Sequence, residues 1–183
     1  MGQGTSQSQS WNEELADELH KPVRHTFQRR RVIVYTIDDV WGADLVDMRE
    51  WNKDNKGFTF LLTVIDVLSK FAWGVQLKDK RGDTVTAALK GIIESSNRKP
   101  NFLWVDEGGE FYNKTMKAYL DKNDIQMYST YSENKSAVVE RFNRTLKTNM
   151  WKRFTAENTR NWIDMLHKLF KDYNEKNTLV LKC

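Results

Sequence analysis

Apolar positions along the 183-residue chain repeat first with a period near two and later with a period near 3.6. After thirty mostly polar residues, VIVYTI (32–37) and WGADLVDM (41–48) read as extended segments. FTFLLTVID (58–66) is continuously apolar, as expected of a central strand covered on both faces. In FAWGVQLK (71–78), Phe71, Trp73, Val75 and Leu77 alternate with small or polar residues, which predicts a half-buried strand. Asn55-Lys56-Gly57 and Ser69-Lys70 supply turns, so the four runs are expected to form a meander.

The period then lengthens. Beyond Gly82, with Asp83 or Thr84 able to cap, Val85, Ala88, Leu89 and Ile92 follow helical spacing. NFLWV (101–105) is a short buried strand ending at Asp106. Asn113 caps a predicted helix carrying Met116, Tyr119 and Leu120, and IQMYS (125–129) is another strand. Two long helices follow. One runs from Ser136 to about Arg153 with Val139, Phe142, Leu146 and Met150 inward. The last carries the stripe Trp162, Met165, Leu166, Leu169, Phe170 and Tyr173. Strands first and strand–helix alternation afterwards predict an α/β fold with a mixed sheet flanked by helices.

Composition refines this picture at the ends. MGQGTSQSQS is Gly/Ser/Gln-rich, so residues 1–30 are expected to be a disordered tail with a basic arm, KPVRHTFQRRR (21–31). That arm suits nuclear import, a nucleic-acid contact or a solvated linker. MGQGTS fits the N-myristoylation pattern at Gly2, a match that six low-complexity residues make easily, and it carries no weight here. The core is expected over 31–175, with 176–183 as a second tail. Cys183 is the single cysteine, which excludes a disulfide framework and a cysteine metal site and points to a reducing, nuclear or other intracellular compartment. No apolar run reaches the eighteen or so residues of a membrane span. From Lys135 onward eleven Lys and Arg face five Asp and Glu, leaving the first 134 residues at −2 of the total +4. A basic third beside an acidic body suits a polyanionic partner held near carboxylates, although a solvated helix face would give the same count.

The candidate chemistry lies in three carboxylates. Asp44 sits in a strand among Ala43, Leu45 and Val46, where a carboxylate is costly unless paired or bound to a cation. Asp106 closes the NFLWV strand and opens DEGGEF, where Asp106, Glu107 and Glu110 crowd around two glycines. Glu140 stands on the first long helix with Asn143, Arg144 and Lys147 along one stripe beside its apolar face, at the rim of the core. Singly these read as a satisfied core Asp, a turn residue and a surface residue. Together they suit a two-metal site, since hard Mg²⁺ takes carboxylate oxygens and a metal pair serves in-line phosphodiester displacement.

At these residues the chain resembles a known family. WGAD (41–44), LLTVIDVLSKFAW (61–73), WVDEGGEF (104–111) and SAVVERFNRTLK (136–147) look like the catalytic core of retroviral-type integrases, the rve/DDE superfamily. KPVRHTFQRRRVIV adds a likeness to the integrases of Maverick/Polinton transposons. Between Asp106 and Glu140 lie 33 residues, against roughly thirty-five in the family's D,D-E pattern. The resemblance implies an RNase H-like fold with a five-stranded mixed sheet, and a triad of Asp44, Asp106 and Glu140 that binds Mg²⁺ or Mn²⁺. It further implies DNA 3′-end processing and strand transfer on element ends and target DNA by a homo-oligomer without membrane contact. Arg144 and Lys147 match the donor-DNA contacts, with Asn143 beside them in support.

The sequence departs from the family in places. Glu107 stands where the glycine loop usually carries Asn. His20, His25 and His167 with a lone cysteine do not make the amino-terminal zinc module. The chain ends at NTLVLKC, for which an excised core, a truncated copy and a gene product that has lost its other domains all stand as expectations. Two functions therefore stand: a metal-dependent polynucleotidyl transferase, or a transposon-derived, non-catalytic DNA- or protein-binding module that kept the fold. RNase H itself suits the ERFNRTLK helix less well.

Overall fold

Runs of Val, Ile, Leu and Trp form strands where their branched and aromatic side chains can pack on a pleated surface. The computed structural model describes residues 33–129 and 137–177. The polar tail, its Gly2 pattern, the basic arm and residues 178–183 lie outside them. Contacts divide the chain after Ile33, and every element below belongs to the second unit. Strands β1 (Val40–Asp47), β2 (Phe60–Asp66) and β3 (Ala72–Leu77) are antiparallel neighbours. β4 (Phe102–Val105) pairs in parallel with β1, and β5 (Gln126–Ser129) in parallel with β4. The order β3-β2-β1-β4-β5 is the expected five-stranded mixed sheet.

Helices α1 (Gly82–Ser96) and α2 (Lys114–Lys122) cover one face through Val85, Leu89, Ile92, Met116 and Leu120. Helices α3 (Ala137–Ala156) and α4 (Ile163–Asn177) cover the other through Val139, Phe142, Leu146, Leu166 and Phe170. Strand alternation sends Trp41 and Ala43 of β1 to the first layer and Val46 to the second. Asp44, in step with Val46, therefore faces α3. Among the described residues no helix is long and apolar enough to cross a membrane.

Three local expectations need correction. Residues 33–37 form no strand. Asp38 turns the chain at φ 64°, and its carboxylate accepts from the Trp41 indole at 2.9 Å and from Arg98 Nε at 2.9 Å. Ile33 and Tyr35 are left 66% and 81% exposed, so the first strand begins only at Val40 and the antiparallel meander has three strands. Neither Asp83 nor Thr84 is the α1 N-cap. Arg81 occupies that position without a side-chain cap bond, and Asp83 instead accepts from Thr115 Oγ1 at 2.6 Å. A 3-10 segment, Arg49–Asn55, also follows β1 where no apolar period announces it. It ends as the turn signal predicted, with Lys56 at φ 53° and Gly57 at 77°. The Asn113 cap does form, its Oδ1 accepting the Met116 N–H at 2.9 Å.

Candidate active site

Each carboxylate reaches the site on a different element. Asp44, half-buried in mid-β1 opposite Thr63, accepts the Leu45 N–H at 2.8 Å on Oδ1 and the Asn143 Nδ2 at 2.8 Å on Oδ2. Asp106 follows the last residue of β4, at the carboxyl end of a parallel strand where open α/β sheets collect ligands. Its carbonyl accepts the Gly108 N–H at 2.8 Å, and the Gly108 carbonyl accepts from Phe111 and Tyr112 at 3.0 and 2.9 Å. Phe111 is buried and anchors this tight loop in the core. A Cβ on Gly108 would lie 2.4 Å from the Glu110 carboxyl carbon, so only glycine lets that side chain fold back. Glu107 accepts from Ser129 Oγ at 3.0 Å, turned toward the end of β5. Of the three crowded acids, Asp106 alone lines the pocket.

Glu140 stands exposed in the first turn of α3, where the helix dipole favours a negative group. The pocket has a volume of about 130 Å³ and is lined by Ala43, Asp44, Trp104, Val105, Asp106, Val139 and Glu140. Tyr128 stacks on Trp104 behind it, with centroids 5.7 Å apart, and burial pushes its phenol pKa up. Among the described residues no three His, Cys, Asp or Glu side chains close tightly enough to hold one ion. The donor chemistry nevertheless fits a hard divalent cation. The pocket offers carboxylate oxygens, and beside them the buried Asn143 Oδ1 has no hydrogen-bond partner among the described residues.

Arg144 and Lys147 are exposed on α3, one and two turns beyond Glu140. Asn143 is not beside them. It is 7% exposed and spends its amide on Asp44, because it is bracketed by the core residues Val139, Phe142 and Leu146. That bracket was the sequence signal for burial. Sequence reasoning also missed Trp151, a large exposed side chain farther along α3. It further missed Arg49, whose hydrogen bonds hold the Asp47 carboxyl below the usual carboxylate range at the edge of the same surface.

Residues 36–135 match the integrase core domain family. The chain belongs to that family. The matched span of this integrase core contains Asp44 and Asp106, and Glu140 follows it. An uncharacterized transposon-derived protein of Caenorhabditis elegans is 39% identical over 127 residues, which cover 69% of this chain and 44% of that protein. The integrase core thus spans less than half the length of that relative. Among solved structures, the intasome of simian T-cell lymphotropic virus in complex with the PP2A regulatory subunit B56 gamma aligns with a TM-score of 0.66. The identity is 17%, over 83% of this chain and 52% of that one. The dimeric HTLV-2 integrase catalytic core in complex with magnesium aligns with a TM-score of 0.58 and 18% identity, over 73% and 84% of the two chains. The RNase H-like fold expected from the sequence is the fold these cores share.

Proposed function

We propose that this integrase core is a polynucleotidyl transferase that trims DNA 3′ ends and joins them to target DNA. One observation carries the reading: Asp44, Asp106 and Glu140, from β1, the end of β4 and the first turn of α3, line a single pocket. Asp44 and Asp106 would hold one Mg²⁺ or Mn²⁺, and Glu140 with one of them a second. Bound ions supply charge stabilisation to the attacking and leaving oxygens of a phosphodiester. Asn143 fixes the Asp44 carboxylate from below. Arg144 and Lys147 hold the phosphates of the donor strand against the pocket mouth. The reading places the protein in the nucleus as a homo-oligomer on element ends. The basic run KPVRHTFQRRRVIV supports a source in Maverick/Polinton-type transposons.

A second reading, a non-catalytic DNA-binding module, is favoured by the exposed Glu140 and by the absence, among the described residues, of three side chains closed on one ion. Joining and nicking of labelled oligonucleotides, in Mg²⁺ and in Mn²⁺ and including the reverse, disintegration-type format, decides between them. Transferase activity predicts products that Glu140→Gln abolishes, with a loss above the ~10²–10³ of a single electrostatic contact. DNA binding without products in every format selects the module.

A further inference from the structure

Helix α3 carries its exposed stripe well past the pocket. Arg144, Lys147 and Trp151 lie four, seven and eleven residues beyond Glu140, within about 40° of one line at 100° per residue. At 1.5 Å per residue Trp151 is about 16 Å from Glu140 along the helix. Its side chain is 40% exposed, an unusual place for the largest apolar residue. Trp51 meets its ring edge-on at 5.2 Å and 88°, and Phe154 lies at 5.9 Å and 36°. The indole is therefore held from beneath while much of its surface stays open.

On one side of that ring is a shallow groove of about 500 Å³, lined by Arg144, Lys147, Thr148, Trp151, Lys152 and Thr155. It contains three cations and no carboxylate, and among the described residues those cations make no ion pair. The Thr148 and Thr155 hydroxyls donate back to the carbonyls of Arg144 and Trp151, at 2.8 and 3.2 Å. What remains for a ligand is positive charge and one flat aromatic surface. A protein partner with several apolar anchors would find a single apolar side chain here. A neighbouring groove that also meets Trp151 balances Asp47 and Glu50 against Arg49 and Lys147, with Asp47 already paired to Arg49, so a polyanion is directed to the Lys152 side, where three cations stand without a carboxylate.

We propose that Trp151 is a stacking platform for an unpaired base of the DNA strand whose phosphates Arg144, Lys147 and Lys152 hold. A base inside a duplex has both faces occupied, whereas an unpaired base offers a face to an indole. The partner is thus DNA with a single-stranded stretch, and the contact lies about five nucleotide rises, at 3.4 Å each, from Glu140. This inference rests on the DNA-joining reading and names the strand form it acts on.

Binding is measured by fluorescence anisotropy of a blunt duplex and of the same duplex extended by a single-stranded overhang. Trp151→Ala is expected to weaken overhang binding about tenfold and to change blunt-duplex binding by less than about twofold, with an unaltered salt slope. Trp151→Leu, which keeps apolar packing on Trp51 and Phe154 but removes the ring, should show the same selective loss, and Trp151→Phe should retain most of the affinity. Lys152→Ala should lower the salt slope by about one on both DNAs. Equal loss on both DNAs in the Trp151→Ala and Trp151→Leu proteins, or no loss on either, overturns the stacking contact alone. A wild-type protein that binds neither DNA overturns the DNA reading and this contact with it.

Discussion

Asp44 and Asn143 show how a single side chain prepares the pocket. Asn143 Nδ2 sits 2.8 Å from Asp44 Oδ2 on the buried side of α3. Asn143→Asp would place a second carboxylate there with little change in shape. Like charges at that separation resist joint ionisation, so the folded pair's pKa rises above the unfolded value. A raised carboxyl pKa destabilises the fold above it, and the deficit shrinks as pH falls through it. Thermal melts of the two proteins should therefore differ by ~1–3 kcal/mol at neutral pH and much less near pH ~4, close to the unfolded carboxyl pKa. An identical deficit at both pH values would mean that Asn143 matters only for packing. The three carboxylates and the Arg144–Lys147 pair were legible in the sequence because each breaks a simple pattern: an acid in an apolar strand, acids on a glycine turn, cations on one stripe. Asn143 was legible only as buried, from the core residues that bracket it; its partner Asp44 was not, because spacing along a helix does not name a contact on a distant strand.

At the scale of elements, long-range side-chain bonds set what periodicity cannot. Asn55 is wholly buried; its Oδ1 accepts the Trp162 and Ile163 N–H groups at 2.8 and 3.2 Å, and its Nδ2 donates to the Trp51 and Arg160 carbonyls. It caps the start of α4 from more than a hundred residues away. Asn55→Ala leaves these groups unsatisfied and should cost ~1–3 kcal/mol by chemical denaturation, against a few tenths for an ordinary exposed substitution. At the other end of the layer, a Cβ on Gly74 of β3 would lie 2.2 Å from Phe170 Cζ of α4. Gly74→Ala should cost ~1–3 kcal/mol through overpacking, and Phe170→Leu in the same chain should return part of it. Strictly additive costs would place the strain elsewhere. Strand β2 was readable as an unbroken apolar run, and β3, α3 and α4 because one period runs through each. Residues 33–37 were misread because Arg98, about sixty residues on, takes up Asp38 and bends the segment away from the sheet.

For the whole molecule, the sheet brings an acidic pocket and a basic helix face together, as the uneven charge along the chain suggested. Phosphate contact by Lys147 predicts that Lys147→Ala weakens binding to all DNA sequences alike and lowers the salt slope by about one. An unchanged slope would remove Lys147 from the interface. The family was legible because its motifs fall on the strand ends and the helix face that build this pocket. How closely the carboxylates gather was not, since spacing along a chain does not set distances across a fold. On the proposed function, Asp44, Asp106 and Glu140 act as one metal-holding unit. Its most direct test is Mn²⁺ soaked into crystals of the protein, with the ion located by anomalous scattering. A peak coordinated by both Asp44 and Asp106, lost in Asp44→Asn, is the expected result. A pocket without a peak at ~10 mM Mn²⁺, a level well above the dissociation constant of a usable site, would contradict it.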